Sequence, residues 1–107
     1  MNEGEFHIEA TSERIGVTYP KGEKHVVSID SLCEVIVETN DSGPWDADVW
    51  IVFRGRDDVC LIPQGAEGQD ALWPFFKRLP GFDYDLFAEA MSCVEKKSFV
   101  CWRAKDS

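Results

Sequence analysis

Hydrophobic and polar positions alternate through the first half of the chain. Phe6, Ile8 and Ala10 fall on one side and His7 and Glu9 on the other, which predicts a half-exposed strand. Ile15 to Tyr19 is a second strand, and Pro20-Lys21-Gly22-Glu23 is a turn, with proline presetting one corner and glycine admitting positive φ at another. Lys24 to Ile29 resumes, so residues 14 to 29 read as a hairpin. From Cys33 to Thr39, Cys33, Val35 and Val37 share one face and Glu34, Ile36 and Glu38 the other. Asn40-Asp41-Ser42-Gly43-Pro44 is the densest group of breakers and predicts a surface loop. Asp48 to Phe53 follows without alternation, as a central strand covered on both faces would. Arg54 to Asp58 reads as a turn returning through Val59 to Ile62.

The period changes at Asp70. Leu72, Phe75, Phe76 and Leu79 stand at the i, i+3, i+4, i+7 positions of an amphipathic helix. Pro74 requires that this helix start late, near Trp73, or kink there. Leu79-Pro80-Gly81-Phe82 ends it, and Asp83 caps a second helix with Phe87, Ala90, Met91 and Val94 as its apolar stripe. Ser98 to Arg103 is a final strand. Strands segregated from helices predict an α+β fold: a bent antiparallel sheet of about six to seven strands, two helices near the C-terminus, then a last strand. A pleckstrin-homology-like half-barrel is the alternative.

The length, 107 residues, suits one globular domain spanning 1-107, and 44% apolar content is enough to fold it. The acidic start has no secretory pattern, and no apolar run approaches the roughly 20 residues that cross a bilayer. Cys33, Cys60, Cys93 and Cys101 lack the close spacing of zinc or redox sites and read as buried reduced thiols in a cytoplasmic protein. The net charge of -9 disfavours nucleic acid and anionic membrane as partners and favours a basic protein.

Five short motifs, GPW (43 to 45), DVW (48 to 50), PQGAEG (63 to 68), LPGFD (79 to 83) and FVCW (99 to 102), resemble those of a widespread group of small, largely uncharacterised bacterial proteins. The resemblance implies a bacterial cytosolic origin and a shared fold rather than an activity. Size and acidity are also similar in type to immunity proteins of bacterial toxin systems, including contact-dependent growth inhibition.

Candidate chemistry is sparse. Asp46 and Asp48 could project from one face, but the spacing from Asp41 to Asp48 does not match a calcium loop, so neither metal nor catalytic residues are assigned and no cofactor is expected. His7 and His25 lack neighbours at ligand spacing, and no cysteine has basic neighbours that would activate it. Trp45, in a Gly-Pro loop between acids, is the candidate exposed anchor. The predicted partner-binding face comprises Glu38, Asp41, Trp45, Asp46, Asp48, Asp57 and Asp58. These features predict a non-enzymatic protein-binding module, in its most specific form an immunity protein covering the cationic site of a basic toxin such as a nuclease. The alternative is a small ligand-binding or enzymatic domain using the sheet's concavity, with Gln64 and Tyr84 on its rim.

Overall fold

The computed structural model describes residues 6–19, 21–39, 49–63, 68–93 and 95–104. Seven strands and two short helices follow one another as β1 (His7–Ala10), β2 (Arg14–Thr18), β3 (Lys24–Ser28), β4 (Leu32–Thr39), β5 (Val49–Gly55), β6 (Val59–Pro63), α1 (Leu72–Phe76), α2 (Tyr84–Met91) and β7 (Lys97–Arg103). The fold is α+β, as the segregation of periods predicts. The strands do not make one bent sheet, however, but two open antiparallel sheets, β1-β2-β3 and β6-β5-β4-β7. The physical reason lies in β4. Its two edges are occupied by β5 and β7, so β3 finds no free ladder there and the first hairpin pairs only with β1.

Local chemistry explains the connections. Between β2 and β3, Tyr19 N donates to Glu23 O at 2.7 Å, Gly22 N donates to Tyr19 O at 2.8 Å, and Gly22 takes a φ of 96° that other residues resist. The β5–β6 hairpin closes through Gly55 N donating to Asp58 O at 2.8 Å. A 3-10 turn at Gln69–Ala71 precedes α1. Pro74 is thus the third helical residue, within the first turn where its missing N–H has no intrahelical acceptor, and the late start, rather than a kink, accommodates it. Asp83 caps α2 as predicted, its carboxylate accepting from Leu86 N at 2.9 Å. Val94, at the end of the predicted stripe, lies outside the described residues.

The inner face of the four-stranded sheet carries the core. Val35, Val37, Ile51, Phe53, Cys60 and Ile62 point inward and are fully buried or nearly so. Against them lies a chain of rings from the helical layer. Phe76 stacks on Phe53 at 6.0 Å and on Phe82 at 4.4 Å, and meets Phe87 edge-on at 5.1 Å. Each such phenylalanine stabilises the fold by about 1.5–3 kcal/mol through burial alone. The three-stranded sheet joins the same inner side near β6: Ile15, Val17 and Val27 belong to the same apolar cluster, and the Cys60 thiol donates to His25 O at 3.2 Å.

β7 is tied to β4 at both ends. At one end Thr39, buried, donates through Oγ1 to Glu95 O and accepts from Lys97 N at 3.1 Å. Along the pair the register slips between Val35 and Ile36, because Ile36 faces Val100 while Val35 faces Trp102. Cys101 is the extra residue. This bulge turns both Cys101 and Trp102 toward the helices, where Trp102 Nε1 donates to Pro80 O at 3.0 Å, and returns Arg103 to the outer face.

Candidate functional site

Because side chains alternate across a strand, the register of β6, β5, β4 and β7 specifies which residues share the outer face. Three rows result. Val59, Arg54, Glu34 and Arg103 form the first; Leu61, Val52, Ile36 and Val100 the second; Pro63, Trp50, Glu38 and Ser98 the third. The middle row is apolar across all four strands, and its outer members Leu61 and Val100 are 38% and 39% exposed. In the first row Glu34 is clamped from both sides. Arg54 Nε donates to its Oε1 at 2.7 Å, and Arg103 donates to its Oε2 through Nε at 3.0 Å and Nη2 at 2.8 Å. The Arg103 hydrogen bonds, then those from Arg54, hold the Glu34 carboxyl below its ordinary pKa. One carboxylate between two guanidiniums leaves this row net positive in a strongly acidic protein. At the opposite corner of the face Phe6 packs edge-on against half-buried Trp50 at 5.9 Å.

A second surface lies on the helical layer. Trp73 follows Leu72 but stands off the apolar stripe, so its ring leaves the core and is 43% exposed. It is not free to swing, being held edge-on by Phe76 and Phe87, each at 5.7 Å. Tyr84, also exposed, packs on Phe82 at 4.8 Å. Asp85 and Glu89 sit four residues apart on the exposed side of α2, Asp83 caps that helix, and Asp70 precedes Trp73 by three residues. Lys77 and Arg78 are the exposed cations of this layer.

Of the predicted partner-binding residues, Asp41, Trp45, Asp46 and Asp48 lie outside the described residues. Glu38, Asp57 and Asp58 are exposed, yet they do not share one patch. Glu38 stands beside Trp50 at the start of β5, while Asp57 and Asp58 follow its far end, about 20 Å away at 3.3 Å per residue. The strand that links the two acidic segments also separates them. Trp50 and Trp102 are half-buried.

The four cysteines are free thiols, and Cys33, Cys60 and Cys101 are buried, while Cys93 is half-buried. Burial, aided by the nearby Asp58 carboxylate, pushes the Cys60 thiol to about 12, and burial with Asp83 nearby pushes Cys101 to about 11. Such thiols are poor nucleophiles at neutral pH. The concavity that a ligand would need is occupied by the phenylalanine chain. A cleft of about 530 Å³ does open among Asp30, Ser31, Leu32, Cys33, Arg54, Arg56 and Ala104. Its cations are engaged, Arg54 with Glu34 and Arg56 through Nη2 with Asp30 O at 3.2 Å. Of the predicted rim, Tyr84 lies on the helical layer instead, and Gln64 is outside the described residues.

Among the described residues no three His, Cys, Asp or Glu side chains gather as metal ligands would, and no helix is long and apolar enough to cross a membrane. Fold and surfaces together define an α+β protein of two open antiparallel sheets with an aromatic, acidic helical layer. Comparison with protein families, with curated proteins and with solved structures finds no match.

Proposed function

We propose that the chain is a non-enzymatic protein-binding module that engages a basic partner through its helical layer. The observation that carries this reading is Trp73, an exposed indole fixed by two buried rings on a helical layer that also bears the exposed carboxylates of Asp70, Asp85 and Glu89. A pre-positioned tryptophan loses little conformational freedom on binding and supplies a large contact area. The acids of this layer outnumber its two cations and add long-range attraction for a cationic surface, which speeds encounter and fades with salt. Elevated thiol pKa values and a filled concavity support binding over catalysis. The most specific form of the proposal is a bacterial immunity protein that covers the cationic site of a toxin such as a nuclease, acting in the cytoplasm.

The test is affinity capture from a lysate of the encoding organism with wild type, Trp73→Ala and the double variant D85K/E89K. A protein of high isoelectric point retained by wild type, released by about 0.5 M salt and lost from both variants supports the reading. Truncating the indole is expected to weaken that complex by roughly 30-fold or more. Equal retention by all three proteins sinks it. Where the captured protein is a nuclease, an equimolar amount of the chain is expected to stop its cleavage of plasmid DNA.

A further inference from the structure

We draw no further inference here: the strongest candidate, the apolar strip of Leu61, Val52, Ile36 and Val100 across the outer face of the four-stranded sheet, is an unpartnered face for which nothing in the structure shows what covers it.

Discussion

Glu34 near the start of β4 accepts two hydrogen bonds from Arg103 on β7, a pairing between residues 69 positions apart in the chain. With Arg54 on its other side, the carboxylate fastens three strands on a solvent-facing surface. Glu34→Gln keeps the shape but turns one acceptor into a donor facing a guanidinium. A loss of about 1–3 kcal/mol in urea denaturation at pH 7 is expected. The folded-state pKa lies below the ordinary 4.5, so the stabilisation is present above that value and is lost as pH falls through the lower folded pKa. The gap between wild type and E34Q should therefore close as pH falls below 4.5. An unchanged gap at about pH 3 would show that ionisation of Glu34 is not its source.

The Asp83 cap should behave as a local interaction. Asp83→Ala removes the acceptor for Leu86 N and is expected to cost about 1 kcal/mol, or about 4–8 °C in Tm, while Asp83→Asn stays within a few tenths of wild type. The backbone bond from Asp83 N to Cys101 O survives in both. Thermal scans that fail to separate the two variants would assign the residue's role to charge or backbone instead.

Gly68 and Gly22 both have positive φ, 89° and 96°, but only one is crowded. A Cβ at Gly68 would meet the carbonyl oxygen of Ile8 at 2.9 Å, whereas one at Gly22 meets nothing. Gly22→Ala is expected to cost about 1 kcal/mol for conformation alone. Gly68→Ala adds a backbone collision between the approach to α1 and β1, and should exceed it by at least about 1 kcal/mol in chemical denaturation. Equal losses would show that the chain yields at this contact.

Alkylation should sort the thiols. Cys60 at about 12 and Cys101 at about 11 hold almost no thiolate at pH 8 and are buried besides. Iodoacetamide under native conditions is expected to modify half-buried Cys93 first, with Cys60 and Cys101 reacting only as urea opens the fold. Peptide mass spectrometry reads the order, and early modification of Cys60 would contradict it.

The elements were legible wherever local period and end signals agree. Asp83 and the Leu72, Phe75, Phe76 stripe are examples, whereas Trp45 rather than Trp73 was expected as the exposed anchor. The surfaces were not legible to the same degree. The apolar strip exists because Leu61, Val52, Ile36 and Val100 come into register from four segments, and Val100 and Arg103 reach the outer face together only through the bulge at Cys101. No local period contains that pairing. Glu38 and the pair Asp57 and Asp58 flank opposite ends of β5, a separation of about 20 Å that seven extended residues impose and that no local pattern states.

The edge of β4 that β7 covers has a history during synthesis. Lys97, which binds Thr39, is made 58 residues after it, so at about 5–20 residues per second the nascent chain carries an unpaired β4 edge for roughly 3–12 s. Throughout that interval Val35, Ile36 and Val37 offer a bare ladder to any neighbouring strand. The exposure of this apolar central strand is thus confined to synthesis, and it ends when the seven-residue β7 emerges and becomes the edge in its place.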